Sequence, residues 1–336
     1  MAIFLRASLA YLFVALVLTA WLNHDPLASI RAIMAAAFVL LNQMAGLATK
    51  LWPLVPVALF VLGPRRCLAR LGPLVQVSLA VLAIQIGFLF MKSAIPQLMP
   101  FWADPLFARA DQLLLFGQDA WTIAHRMTPD ALAAYFPAIY MPLWIIAASA
   151  LPIIVVATDP NPERIGRYVW LFLGVWVVVG NIAATLGSSV GPIYYDRLLD
   201  TARFADLHAA LAATGLSDGP IGQLQARLWA AKGDIGGIRA SGISAFPSVH
   251  VAIAALTALY LTDRFWGLGA LLGAAFLGLI LLISVYSGYH YLVDGLVSIA
   301  MILGMDRGLR RWQAHGSGQT TSPAGPTAPL SDPAAA

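Results

Sequence analysis

The chain has 336 residues, of which 60% are hydrophobic and 11% charged, with a net charge of +4 at neutral pH. Apolar runs on this scale exclude a soluble globule and point to a polytopic membrane protein, because lipid offers backbone amides no hydrogen-bond partner. The cations lie in short loops, where they set topology and do not form a nucleic-acid face. Cys67 is the single cysteine, which rules out an intramolecular disulfide and a zinc–cysteine site.

Apolar stretches of membrane length, or nearly so, fall at about 4–22, 50–64, 73–93, 135–157, 168–187, 249–263, 266–285 and 289–305. The first has one cation, Arg6, and no small-residue cleavage site before Asn23-His24-Asp25, so it is read as a helix and not a signal peptide. Arg31, Asn42 and Gln43 interrupt residues 28–48, which read as an interfacial amphipathic helix, with a ninth span as the alternative. The stretch Asp104–Asp130 does not span and is placed at the interface. Between 188 and 246, Leu198–Thr214 and Ile221–Lys232 carry apolar residues at helical spacing, separated by a break at Gly215–Gly219. They are expected to lie over the mouth of the bundle. From His315 onward the chain is rich in Gly, Ser, Thr, Pro and Ala and is expected to be disordered.

The organisation that follows is all-α: a bundle of about eight spans with short interfacial helices. Residues 1–72 form N-terminal membrane helices, 73–305 the functional core, and 306–336 a disordered cytoplasmic tail. Arg65, Arg66 and Arg70, then Arg164 and Arg167, Arg264, and finally Arg307, Arg310 and Arg311 mark the cytoplasmic loops. That arithmetic puts His250, His290 and the 188–246 segment on the opposite, extracytoplasmic face.

His250 and His290 share that face. Pro247 fits the first position of a helix, which would leave the amides of Ser248, Val249 and His250 free to hold an anion. Ser248 adds a hydroxyl, His250 a proton donor, and Gly242 and Gly236-Gly237 would let backbone approach a ligand. His290 and Asp294 are four apart on a predicted helix, so the carboxylate can fix one ring nitrogen and leave the other as nucleophile or base. Two imidazoles, an orienting carboxylate and free amides form a set suited to phosphoryl transfer without a metal or cofactor. Ionisable groups at mid-depth on several helices would instead mark a transporter or scaffold, but here they crowd one face. His24, His125, His208 and His315 read as surface residues.

Ser241-Gly242-Ile243-Ser244-Ala245-Phe246-Pro247-Ser248-Val249-His250-Val251-Ala252 resembles the second motif of the type 2 phosphatidic acid phosphatase superfamily. Tyr289-His290-Tyr291-Leu292-Val293-Asp294 resembles its third motif. Asp111–Gly117 and Gly191-Pro192-Ile193-Tyr194-Tyr195 are similar to elements of the inositol phosphorylceramide synthase branch. The resemblance covers about 100–305 and implies a six-helix core within 73–305 and a phosphohistidine intermediate. It implies His290 as nucleophile, Asp294 as its orienting partner, and His250 as acid for the leaving group and base for the acceptor.

One departure from the phosphatases bears on substrate. They carry a Lys and an Arg in the first motif and an Arg six residues before the nucleophile, where this chain has Ser284. Fewer fixed cations suit a phosphodiester with one charge better than a near-dianionic monoester, unless Arg197 or Arg239 supplies one. The resemblance therefore favours a lipid phosphotransferase with a phospholipid donor and a lipid alcohol acceptor. The alternative is a phosphatase of phosphatidic acid-like or polyprenyl phosphates. Ser248, Gly191, Tyr194, Tyr195, Asp196 and Arg239 are the candidate substrate-binding residues, and the expected location is a bacterial inner membrane. Head group, acceptor and oligomeric state stay open.

Overall fold

The computed structural model describes residues 1–51, 63–232 and 242–318. It is a helical membrane bundle with no strand among the described residues. Among the described residues, five helices are long and apolar enough to cross a membrane by length and composition. The predicted run at 50–64 falls almost wholly outside the described residues.

Helices α1 (Ala2–Asn23) and α2 (Pro26–Leu51) form a hairpin, turning at His24 in the left-handed region. The expected interfacial helix is thus one continuous 26-residue helix, with its N-terminal part packed on α1 and on α3 (Pro64–Leu98). The stretch 104–130, read as non-spanning, holds two short helices, α4 (Asp104–Leu114) and α5 (Ala120–Met127). Helix α6 (Phe136–Thr158) follows a single turn at Asp130–Ala133. Helix α7 (Pro162–Leu186) is wound as a π-helix over Val175–Ala183, and there Asn181 accepts a 2.6 Å hydrogen bond from the Tyr11 hydroxyl. Such bulges recur at functional sites.

The extracytoplasmic candidate segment holds three short helices where two were expected: α8 (Pro192–Leu199), α9 (Ala205–Ala213) and α10 (Pro220–Ala230). The predicted helix 198–214 breaks at Asp200, which is left-handed (φ 53°). There the Asp196 carboxylate accepts from Thr201 Oγ1 and the Phe204 amide, both at 2.9 Å, and stabilises the turn in place of the helix. These helices close one end of the bundle. The Gln225 side-chain amide donates to the Ser287 carbonyl at 2.9 Å, and the Tyr194 hydroxyl donates to the Gln225 carbonyl at the same distance.

Helix α11 (Val249–Tyr286) contains both runs predicted at 249–263 and 266–285, divided at Trp266 (φ 45°, ψ −131°). The halves fold back on each other: a side chain at Gly273 would meet the Ala258 Cα at 2.7 Å. Helix α12 (Leu292–Gly318) runs beyond the predicted boundary at 305, so residues 306–318 are helical and not disordered. An i, i+4 pair explains the extension, since Arg310 Nε donates to Asp306 at 2.7 Å and Arg310 Nη2 reaches Asp263 at 2.6 Å. Residues 319–336 lie outside the described residues.

The basic loops meet at one end. Arg70 donates to the carbonyls of Val156, Ala157 and Asp159 at 2.6–2.8 Å. Arg164 pairs with Asp159 at 2.6 Å, and Arg167 binds both Asp263 and Asp306. Burial pushes the Asp159 carboxyl up, but Arg164 and the Asn161 amide outweigh it and hold it below the usual carboxylate range. His250 and His290 sit at the opposite end. Along α3 alone the two ends are separated by 22 residues from Arg70 to Lys92, or roughly 33 Å at 1.5 Å per residue.

Candidate active site

Three chain segments build the site, and two acidic residues tie them together. Asp104, at the first turn of α4, is fully buried. Its carboxylate accepts from Ser189 Oγ at 2.8 Å, the Gly191 amide at 2.9 Å, the Val190 amide at 3.0 Å and the Tyr291 hydroxyl at 3.1 Å. Burial raises its pKa, opposed by these four bonds. It thereby joins the 188–191 loop to the loop that carries His290. Asp111, two turns further along α4, accepts from the amides of Leu292 at 2.8 Å and Val293 at 2.9 Å. These are first-turn amides of α12 without intrahelical partners, so Asp111 acts as a cap supplied from another helix. Burial pushes its carboxyl up to about 6 against those two bonds. The sequence reading noticed Asp111 only as part of a motif and passed over Asp104. Asp and Pro at a helix start, as in Asp104-Pro105, was the available signal.

His290 is not on a helix, contrary to the sequence expectation. It precedes α12 by two residues, and Asp294 is in the first turn of that helix. The Asp294 carboxylate reaches back to accept from the Tyr291 amide at 3.0 Å, the geometry of a capping box. The same oxygen lies 3.4 Å from His290 Nδ1. This is charge contact rather than an aligned hydrogen bond, and neither His290 Nδ1 nor Asp294 Oδ1 has a hydrogen-bond partner among the described residues. The backbone at Ala245 is a second neighbour of the ring.

His250 lies in the first turn of α11, but Pro247 stands outside the helix. Ser248 is the N-cap, and its hydroxyl oxygen accepts from the Val251 amide at 3.3 Å. Its own amide donates to the Asp294 carbonyl at 3.3 Å, and Ser298 Oγ donates to the Ser248 carbonyl at 2.9 Å. Ser248 is therefore a fully buried joint between α11 and α12, away from the cavity wall, and cannot donate its amide as the sequence reading supposed. The imidazole of His250 stacks on Tyr140 (ring centroids 5.1 Å apart) and against Trp144 (4.3 Å). Its ring centroid is 5.7 Å from that of His290, so one atom can lie between the two rings.

Both histidines line a mainly apolar cavity of about 790 Å³ that reaches Gln85 on α3 and Leu40 on α2. Tyr194 and Tyr289 also line it; the Tyr289 hydroxyl donates to the Ile221 carbonyl at 3.3 Å. Of the other proposed binding residues, Gly191 holds backbone geometry: it is left-handed (φ 85°), and any side chain there would strike the Tyr289 carbonyl. Tyr195 faces a separate cavity of about 430 Å³ beside Arg203, Asp196 serves the turn described above, and Arg197 is exposed. Arg239 and Gly236-Gly237 lie outside the described residues. Gly242 lines the cavity and is also seated on the backbone of α3, where a side chain would meet the Ser93 Cα at 2.7 Å. His125 is no surface residue: it is half-buried, stacks on Tyr286 at 3.7 Å and bonds the Tyr286 carbonyl at 2.9 Å. Burial lowers its pKa.

Lys92 on α3 is the residue the sequence reading missed at the cavity. It hid inside an apolar run, where a single Lys near a helix end reads as an interfacial anchor.

The family model described as PAP2 superfamily matches residues 106–305. The chain belongs to the PAP2 superfamily. Membership supports a membrane lipid enzyme of the phosphatase or phosphotransferase type, and both histidine segments fall within the match. No curated protein and no solved structure matches the chain.

Proposed function

We propose that this protein is an integral-membrane lipid phosphotransferase, similar to inositol phosphorylceramide synthases, acting through a phosphohistidine on His290. The observation that carries the reading is the 5.7 Å approach of the two imidazoles at the end of a largely apolar cavity. A phosphorus between them is within reach of a nucleophile on one side and a proton donor on the other. The apolar wall suits hydrocarbon chains and disfavours bulk water, which favours transfer to a lipid alcohol over hydrolysis.

With Nδ1 facing Asp294, the Nε2 lone pair of His290 attacks phosphorus. The P–N bond forms as the bond to the diglyceride oxygen breaks, and protonated His250 gives that oxygen its proton. The diglyceride departs. A second lipid alcohol such as ceramide then gives its hydroxyl proton to His250, its oxygen bonds phosphorus, and the P–N bond breaks. His290 is restored, and His250 is again protonated. Asp294 steadies the ring and the positive charge that develops on it. Tyr194 and Tyr289 line the cavity, and since their hydroxyl protons go to the Gln225 and Ile221 carbonyls, their oxygens would serve a polar head group as acceptors. The convergence of basic residues on the other end of the bundle supports an extracytoplasmic site.

The test is purified protein in detergent with phosphatidylinositol and a fluorescent ceramide. Appearance of a phosphoinositol ceramide together with diglyceride supports the reading. Release of inorganic phosphate from phosphatidic acid, with no transfer to any alcohol, would convert the assignment to a phosphatase.

A further inference from the structure

We infer that Lys92 is the phosphate-binding cation of this site and that its single charge selects a phosphodiester over a phosphomonoester. The inference rests on the phosphoryl-transfer reading of the cavity and names the phosphate-binding cation that reading does not assign.

Among the described residues, Lys92 is the one Lys or Arg lining the cavity, and no Asp or Glu lines it. Lys92 has no ion-pair partner among the described residues. A charged group at membrane depth is expensive and ordinarily pairs with another charge. Here Lys92 shares one cavity with His250 and His290, neither of which can balance a positive charge. An anion bound between the rings would.

Position and packing hold Lys92 there. Gln85, Phe88, Leu89 and Lys92 all line the cavity, at the i, i+3, i+4 and i+7 spacing of one helix face. Lys92 stands six residues from the end of α3, and the Gly242 backbone seats on α3 at Lys92 and Ser93, so the loop leading to His250 is pressed against it. The ammonium lies 6.0 Å from the Phe88 ring centroid, at the outer limit of a cation–π contact, which leaves it free for a stronger partner.

Neutral donors surround the same space. The Tyr140 hydroxyl and the indole N–H groups of Trp144 and Trp176 are buried, lack hydrogen-bond partners among the described residues, and belong to residues that line the cavity. One cation with several neutral donors is a suitable host for one negative charge on several oxygens. Lys92 is the one cation that stays in place once His250 has given its proton to the leaving oxygen, and a dianion would then leave a second charge uncompensated in apolar surroundings. Lys92 also lies before the matched region 106–305, so α3 completes the site from outside that match.

The test uses the full-length protein in detergent and two probes, methyl phenylphosphonate with one charge and phenylphosphonate above its second ionisation with two. Binding is read by the fluorescence of tryptophan, since Trp144 and Trp176 line the cavity. The wild type is expected to bind the monoanion at least as tightly as the dianion. Lys92→Gln should weaken monoanion binding by about 10- to 100-fold, the usual worth of a charged hydrogen bond, while Lys92→Arg stays within about threefold. Lys92→Met, which keeps the stem, repeats the measurement if the glutamine variant does not fold. Equal binding by wild type and both neutral variants overturns the inference, as does a wild type that binds neither probe or prefers the dianion by tenfold. If binding depends on Lys92 yet no lipid is transferred or hydrolysed, the anion site stands and the proposed function falls.

Discussion

Gly191→Ala tests whether the backbone of one loop sets the position of His290. Gly191 has φ 85°, its amide donates to Asp104 at 2.9 Å, and an added methyl would strike the Tyr289 carbonyl and lie 3.1 Å from the Ala245 Cβ. Two costs follow. With ψ at 167° as well, this is backbone essentially confined to glycine and costs an L-residue about 1–3 kcal/mol, and forcing a methyl into occupied space costs about 1–3 kcal/mol. Together they destabilise the fold by about 2–6 kcal/mol. The atom that must yield is the carbonyl immediately before His290, so relief moves the imidazole itself. A displacement on the order of 1 Å at a reacting group costs about 100-fold in rate. Gly215→Ala is the control: Gly215 also has a positive φ, 72°, but nothing lies within 4 Å of the added methyl. It should lower stability by only the backbone term, about 1–2 kcal/mol, and leave turnover unchanged. Melting of both variants in detergent, with transfer of fluorescent ceramide at saturating donor, gives the two readouts. Gly191→Ala with wild-type turnover and a melting temperature equal to that of Gly215→Ala would refute the argument.

His290→Ala should abolish transfer and any acid-labile phosphoprotein formed with radiolabelled donor, whereas His250→Ala should still form the phosphoprotein, slowly; near-normal turnover of His290→Ala ends the proposed chemistry. Asp294→Asn should lower turnover by about 10²–10⁴-fold, as when the partner of a catalytic imidazole is neutralised, with donor affinity little changed. Asp111→Asn has a pH signature. The folded pKa of Asp111, about 6, is raised, so its contribution to stability is full below about 4 and is lost as pH rises through 6. The wild type should therefore lose up to about 3 kcal/mol over that window relative to Asp111→Asn, at about 1.4 kcal/mol per pH unit; parallel stability–pH curves would show that Asp111 is not so placed. Asp263→Asn, which neutralises the carboxylate shared by Arg167, Tyr168 and Arg310 at the far end, should cost about 1–3 kcal/mol of stability and leave the turnover of folded protein intact.

The helical membrane class was legible because hydropathy integrates over some twenty residues and survives local error. Boundaries at polar ends were less so. The run ending at 305 continues to Gly318 because Arg310 meets both Asp306 and Asp263, and Asp263 is 47 residues away in sequence. The convergence of His250 and His290 followed from parity, since helices counted from one face return to it. Their local geometry did not. Spacing by four put His290 and Asp294 on one helix face, yet the contact is made across a helix start, where the carboxylate also satisfies the Tyr291 amide. Asp196 and Ser248 looked like binding residues for the same reason they are good caps: short polar side chains beside free amides. Lys92 was invisible because its significance depends on which face of α3 meets the cavity, and only packing decides that.

The separation of charge along the bundle explains how such a site can persist in lipid. At the arginine end, every carboxylate in the cluster of Asp159, Asp263 and Asp306 has a cation within reach, so that end is electrostatically closed. At the histidine end, Asp104 and Asp111 are satisfied by backbone and hydroxyl donors, not by cations. Those two acids therefore spend their hydrogen-bonding capacity on fixing loops and leave the nearby lysine without a counter-charge. A carboxylate partner for Lys92 would stabilise the bundle by itself, and it would remove the uncompensated charge on which the proposed phosphate binding rests. Stability is concentrated at one end of the membrane bundle so that binding free energy can be concentrated at the other.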